Sequence, residues 1–254
     1  MTDVWWAYPT HGFKAGWAYQ PLRRGLSIGC GTGNLEKDLR WLRICEEADA
    51  FDISAESIRI AKERAAAEDI DHVHFEVADC ERLDYPPNRY DVVFFHGSLH
   101  HISKPAQLLD RILPALRENA LLYLDDYVGP SRDQWIPKHL ARAQEVYANL
   151  PVEWRRSPEV FIPYDSTDPS EMINSSQIVP AIHDRFDILW ERPYWGNLLY
   201  PLLCAVNDRE ASKPENEAAL TSLISKEKEL VASGEFAAPL FTWIVGRKHG
   251  TRAG

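Results

Sequence analysis

The chain is predicted to be a doubly wound α/β protein, with a mostly parallel sheet, a late antiparallel edge hairpin and a helical cap. Three observations point there. Strand-like and helix-like segments alternate from residue 26 onward, residues 91–95 (apolar after Asp91) and 120–124 are near-continuous apolar runs, and a glycine-rich turn joins the first strand to the first helix. Such alternation implies crossover helices on both faces of a parallel sheet. Strands buried on both faces are apolar throughout rather than at every second residue.

In order, LSIGC (26–30) is a strand ending in glycines, and a helix follows over about 33–43. ADAFDI (48–53) is a second strand. AESIRIAKERAAAE (55–68) carries helix formers throughout and sets Ile58, Ala61 and Ala65 on one face. Ser54 is its N-cap, with Ser57 where a capping box has Glu. VHFEVAD (73–79) alternates as a strand and DVVFFH (91–96) is a fourth. Residues 105–116 form a helix with Pro114 near its end, and ALLYLDDY (120–127) is a fifth strand. Beyond Pro130 the rhythm changes. Residues 131–182 are predicted mostly helical, with Asp168 as N-cap, Pro169 at the first helical position and Glu171 two further on. Two late strands, 185–192 and 239–248, flank a helical stretch broken at Lys213-Pro214 and form the edge hairpin.

The chain thus divides into an N-terminal segment (1–25), a core (26–130) completed by the two late strands, and a helical cap of residues 131–182 and 193–238. The N-terminal segment holds Trp5, Trp6, Tyr8, Phe13, Trp17 and Tyr19. So many aromatics do not suit a disordered tail. The segment either packs on the core or closes a ligand pocket as a lid.

Composition narrows the function. With 28 Lys and Arg against 38 Asp and Glu, the formal charge is -10, which argues against a nucleic-acid partner. No apolar run reaches the roughly 20 residues that span a bilayer, and the first residues lack the pattern of a signal peptide. Cys30, Cys45, Cys80 and Cys204 form no C-x-x-C pair and no zinc spacing, so a cytoplasmic protein without a metal centre is expected.

The chemistry sits at the strand ends. Gly29-Cys30-Gly31-Thr32-Gly33 lets the backbone turn sharply and approach a ligand where a helix N-terminus presents free N–H groups. A dinucleotide fingerprint would need glycine at 34, where Asn34 stands. Asp52, closing the second strand, suits the two hydroxyls of a ribose, and Asp79, closing the third, suits the amino group of an adenine. All three signals fall at the carboxyl ends of adjacent strands, where open parallel sheets bind ligands.

With LSIGCGTGNLEKDL, AFDIS, FEVADCERL and YDVVFFHGSLHHI in this order, the chain resembles the class I S-adenosylmethionine-dependent methyltransferases over about residues 26–127. The resemblance implies a seven-stranded Rossmann-like sheet whose last two strands are the hairpin. It implies that Gly29, Cys30, Gly31 and Gly33 cradle the methionine part of S-adenosylmethionine. Asp52 and its neighbour Ile53 would hold the ribose side, Asp79 and Cys80 would meet adenine, and the chain around His96 would face the methionine amine. The family commonly carries an acid two positions before the first glycine, where this chain has Ser27. Either cofactor affinity is lower here, or another acid compensates.

The reaction so implied displaces a methyl from a sulfonium onto a small-molecule acceptor, with an oxygen of a sugar-like or natural-product substrate favoured, and leaves S-adenosylhomocysteine. An acceptor hydroxyl needs a base; His96, His100, His101, Asp125, Asp126 and Tyr127 lie after the fourth and fifth strands, with His96 and His100 the natural choices and Tyr127 also placed to line the acceptor pocket. By the same resemblance, His101 is expected to pack under the next helix. Asp125 and Asp126 lack a third acid for a metal site. Two other readings stay open: a cofactor-binding or non-methylating protein on the same fold, and an RNA or protein methyltransferase. The second is disfavoured by the charge and revived only if Arg132, Lys138, Arg142, Arg155 and Arg156 form a basic patch.

Overall fold

The computed structural model describes residues 9–135, 137–162, 167–236 and 238–250. Among these, seven strands form one sheet: β1 (Leu22–Ile28), β2 (Cys45–Asp52), β3 (Val73–Val77), β4 (Tyr90–His96), β5 (Leu116–Tyr127), β6 (Phe186–Trp195) and β7 (Phe241–Lys248). Their order is β3-β2-β1-β4-β5-β7-β6. β1 to β5 are parallel, and β7 pairs antiparallel with both β5 and β6. The order reverses between β1 and β4, which opens a crevice at the carboxyl edge of the sheet.

Alternation along the central strands feeds two cores. On one face α4 (Pro105–Ile112) and α6 (Ile178–His183) cover Leu26, Ile28, Val93, Phe95, Leu122 and Leu124. On the other, α1 (Pro9–Gly16), α2 (Asn34–Trp41) and α3 (Ala55–Ala67) cover Ala48, Ala50, Val92, Phe94 and Tyr123. The Ser54 hydroxyl caps α3 by accepting from the Ser57 amide at 3.1 Å. Phe13 of α1 is fully buried, its ring 5.8 Å from Phe94 and 5.4 Å from Tyr123, and Trp17 lies edge-on to Trp243 at 5.9 Å. Trp5, Trp6 and Tyr8 lie outside the described residues.

Two boundaries differ from the sequence expectation. β1 starts at Leu22 rather than at 26, because charged side chains at its polar start find partners. The Arg24 guanidinium reaches the Asp49 carboxylate at 2.6 and 3.0 Å, and the Arg24 amide donates to Asp91 at 2.8 Å. β5 likewise starts at Leu116 after a turn of 3₁₀ helix at Leu113–Ala115, its register stepping between the pairings of Tyr90 and Val92.

The span 131–182 is less helical than predicted. It holds α5 (Pro137–Tyr147), short 3₁₀ turns and α6. No helix starts at Asp168. Its carboxylate instead accepts from the Ser170 amide at 2.8 Å and the Ser170 hydroxyl at 2.6 Å, capping a turn. The later helices α7 (Leu199–Ala205), α8 (Asp208–Ala211) and α9 (Glu217–Ala232) pack with α5 around a core of their own, including Tyr147, Trp154, Leu202, Leu223, Leu230 and Phe236. The buried Glu227 carboxylate of α9 accepts from the amides of Gly196 and Leu199, tying α9 to the start of α7. Tyr200 of α7 packs against Tyr127 (6.2 Å) and Phe241 (4.9 Å), which seats this helical layer at the carboxyl end of β5.

Candidate active site

The glycine turn follows β1 directly. Gly29, Gly31 and Gly33 have φ of +66°, +53° and +83°, a region that residues with a Cβ rarely enter. The turn is anchored from β2: the amides of Gly29 and Cys30 both donate to the Phe51 carbonyl, at 2.8 and 3.0 Å. A Cβ on Gly29 would sit 2.6 Å from Ser98 Cβ, whereas one on Gly31 would meet nothing within 4 Å. Gly31 therefore faces open space, and a side chain there would fill what the backbone leaves clear.

Asp52, at the end of β2, accepts from the Gly31 amide (2.8 Å) and the Ser54 amide (2.8 Å), one oxygen each. The same carboxylate thus fixes the glycine turn and the start of α3, with lone pairs remaining for ligand hydroxyls. Ile53 beside it is 73% exposed. A large apolar side chain held in solvent at the carboxyl edge suits a flat ligand laid against it. Asp79 accepts from the Glu81 amide at 3.0 Å and lies 3.2 Å from Arg82, and Cys80 is buried beneath it. Burial pushes the thiols of Cys30 and Cys80 up, so neither is a thiolate at neutral pH.

Ser27 is buried in β1, and its hydroxyl donates to Glu36 Oε1 at 2.5 Å. Glu36, in the first turn of α2, is fully buried, and its Oε2 has no hydrogen-bond partner. Burial pushes its carboxyl up to about 7, partly offset by the Ser27 bond and by His96. A buried acid thus lies directly against Ser27, supplied by α2 rather than β1. Sequence reasoning passed over Glu36, although a charged residue flanked by the apolar Leu35 and facing inward with Leu39 was the available signal.

His96 ends β4 with 41% of its side chain exposed, Nδ1 3.4 Å from Asp125 Oδ2. Burial acts to lower its pKa, and the Asp125 carboxylate, with Asp126 and Glu36, outweighs it and raises it. His100 is differently placed. Its Nδ1 lies 2.5 Å from Asp126, a buried carboxylate that also accepts from the amides of Ser98, Leu99 and Tyr127, and its Nε2 faces Glu171 at 3.6 Å. Both ring nitrogens are thus turned to carboxylates, and against the lowering effect of burial these raise the pKa to about 10. Tyr127 is also taken up by the fold. It is buried, its hydroxyl donates to the Pro130 carbonyl at 2.9 Å, and burial raises its pKa, which keeps the phenol protonated at neutral pH.

His101 was expected to pack under α4. It instead meets the turn at 168–171, which nothing local in the sequence linked to it. Four of the five basic residues have partners within the fold. Arg132 bonds the carbonyls of Asp168 and Glu171, Arg142 pairs with Glu145, Arg155 bonds those of Ala148 and Leu150, and Arg156 that of Cys204. Among the described residues, no helix is long and apolar enough to cross a membrane.

Comparison with known proteins agrees with this geometry. Residues 23–201 match the family described as a methyltransferase domain. The 27-O-demethylrifamycin SV methyltransferase of Amycolatopsis mediterranei (strain S699) is 34% identical over 131 residues, which cover 50% of this chain and 47% of that protein. The chain spans less than half the length of the curated relatives it matches. Two solved structures share the fold. Phosphoethanolamine N-methyltransferase 2 of Haemonchus contortus, in complex with S-adenosyl-L-methionine, is 17% identical with a TM-score of 0.61, over 96% of this chain and 52% of that one. The [4+2]-cyclase SpnF is 17% identical with a TM-score of 0.57, over 94% and 80%. With the family match spanning most of the chain, and the sheet order and glycine turn in place, the chain belongs to the class I S-adenosylmethionine-dependent methyltransferases.

Proposed function

We propose that the protein moves a methyl group from S-adenosylmethionine to an oxygen of a small organic acceptor. The observation that carries this is one edge of the sheet where the open glycine turn at Gly31, the Asp52 carboxylate and the exposed His96 lie at the ends of adjacent strands. The residues present fit the cofactor. Gly31 leaves backbone room, Asp52 keeps acceptor capacity for hydroxyls, Ile53 offers an exposed apolar face, and Asp79 accepts from an amino group. Glu36, with one buried oxygen lacking a partner, supplies the negative charge that Ser27 lacks toward a methionine ammonium.

When bound, S-adenosylmethionine brings an electrophilic methyl on a sulfonium. The chain must then orient the acceptor and take its proton. His96 is the base. Asp125 holds its Nδ1, which leaves Nε2 to receive the proton, and the same carboxylate favours the imidazolium that forms. Tyr123 packs 6.4 Å from the His96 ring, and Tyr127 lies edge-on to His100 at the same distance. The acceptor site lies toward the helical layer at the carboxyl edge. An oxygen acceptor is favoured by the likeness to the rifamycin enzyme, whose name specifies an O-demethylated substrate.

The test is turnover. Protein incubated with methyl-labelled S-adenosylmethionine and a panel of hydroxylated aromatic and sugar acceptors should yield labelled product and S-adenosylhomocysteine. His96→Gln should lose at least a hundredfold in kcat, in line with general-base catalysis, and keep its cofactor affinity. Full turnover by that variant would remove the base. A second reading, a non-methylating enzyme, is favoured by the likeness to a cyclase on the same fold. Cofactor binding without S-adenosylhomocysteine formation on any acceptor would select it.

A further inference from the structure

We propose that His100, His101 and Glu171 form a binding site for a divalent first-row transition cation of the zinc class. The three side chains come from the loop after β4 and the turn at 168–171. One ligand atom from each lies within 4.8 Å of the others, and this is the sole such group of three or more among the described residues.

A cation bound here would displace the proton that Asp126 and Glu171 together favour on His100. Nε2 of His100 is 3.6 Å from one Glu171 oxygen, and Nε2 of His101 is 3.6 Å from the other. Both distances are too long for hydrogen bonds. They are close to the roughly 3.4 Å separating two ligands that each sit about 2.1 Å from a tetrahedral metal. The two Nδ1 atoms are held from behind. His100 Nδ1 lies 2.5 Å from Asp126, and His101 Nδ1 lies 3.1 Å from the Ser170 hydroxyl, which donates its own proton to Asp168 at 2.6 Å.

That network sets the tautomer of His101. A Ser170 hydroxyl that gives its proton to Asp168 accepts from His101 Nδ1–H, so the His101 lone pair is on Nε2 and points at a carboxylate. Lone pair against carboxylate is repulsive until a cation lies between them. Carboxylates behind the metal-binding imidazoles are the usual second layer of such sites.

The turn that presents Glu171 is fixed with care. Arg132 Nη2 bonds the carbonyls of both Asp168 (2.6 Å) and Glu171 (2.8 Å). The next residue, Met172, is fully buried with φ +53°, a backbone state that costs a side-chain-bearing residue energy and is kept where the surroundings impose it. The side chains of His100, His101 and Glu171 retain 12%, 33% and 14% exposure, enough for an ion to enter. Two imidazoles and one carboxylate suit zinc, manganese, cobalt or ferrous iron, and leave at least one coordination position open.

The experiment is calorimetric titration of chelator-stripped full-length protein with Zn²⁺, and with Co²⁺ followed by its visible absorption. No S-adenosylmethionine is present, so the outcome is independent of the methyl-transfer reading. One equivalent of each ion should bind, with Co²⁺ giving visible d–d bands. Glu171→Gln and His101→Gln, each confirmed folded by circular dichroism, should weaken binding at least tenfold, and Ser170→Ala should weaken it less. S-adenosylmethionine affinity should be unchanged in all three. No binding to the wild type at 100 µM Zn²⁺, or equal binding by both ligand variants, would overturn the site.

Discussion

Glu36 shows how much one side chain can rearrange a familiar site. The acid expected at the end of β1 is absent, and a buried glutamate three residues past the last glycine bonds Ser27 in its stead. Its carboxyl titrates near 7 in the ligand-free protein because burial disfavours the charge, with Ser27, His96 and Asp52 as the polar and charged groups facing it. A carboxyl whose pKa is raised on folding stabilises the fold fully below its unfolded value, near 4.5. The contribution is lost as pH rises through about 7, and its size is on the order of 3 kcal/mol. Urea unfolding of the ligand-free wild type should therefore show stability falling between pH 5 and 7.5, and Glu36→Gln should flatten that slope. A cofactor ammonium favours the ionised carboxylate, so S-adenosylmethionine affinity should rise from pH 6 to 7.5 with proton release. Glu36→Gln should bind more weakly and without that dependence. Identical profiles for the two proteins would show that Glu36 carries neither effect.

At the scale of elements, what was legible followed from local pattern. The helix over 55–67 was read almost to the residue because Ser54 caps it and its apolar face repeats, and the Pro105 start of α4 was equally plain. β1 was read short because periodicity counts Arg24 as solvent-facing, while the fold pairs it with acids from β2 and β4. The 168–171 segment misled for a related reason. Asp-Pro-Ser-Glu is a good helix start, but Asp168 spends its acceptors on Ser170, and the chain goes on to a buried Met172 in a left-handed conformation. Glu171 was thus assigned to a helix N-terminus, and its meeting with His100 and His101 was beyond any short-range pattern. The site residues at strand ends were visible because glycine and aspartate there do local work; those contributed by tertiary approach were not. α1 itself carries no clear helix signal, but of the two readings of the N-terminal aromatics the packed one fits Phe13 and Trp17, which dock on the sheet. Phe13→Ala should destabilise the protein by about 3–5 kcal/mol, measured by urea or thermal unfolding, since it empties a fully buried ring site between Phe94 and Tyr123. A loss below about 1 kcal/mol would mean that α1 is not part of the folded core.

The whole molecule joins a ligand-binding sheet to a helical layer with its own apolar core, through the β6–β7 hairpin and the Tyr127, Tyr200 and Phe241 cluster. In the proposed assignment the cofactor-side residues would come from the β1, β2 and β3 ends and the base from β4, while Tyr127 of β5 and Tyr200 of α7 pack beside them. That division lets the helical layer set the acceptor while the sheet keeps the cofactor chemistry fixed. The most direct test is calorimetric titration of the wild type and Asp52→Ala with S-adenosylmethionine, S-adenosylhomocysteine and NAD. Micromolar binding of the first two is expected, with none of NAD and a loss of about 1–3 kcal/mol in the variant, the cost of removing a charged hydrogen-bond acceptor. Absence of binding by the wild type to either adenosyl compound, or equal affinity in Asp52→Ala, would contradict it.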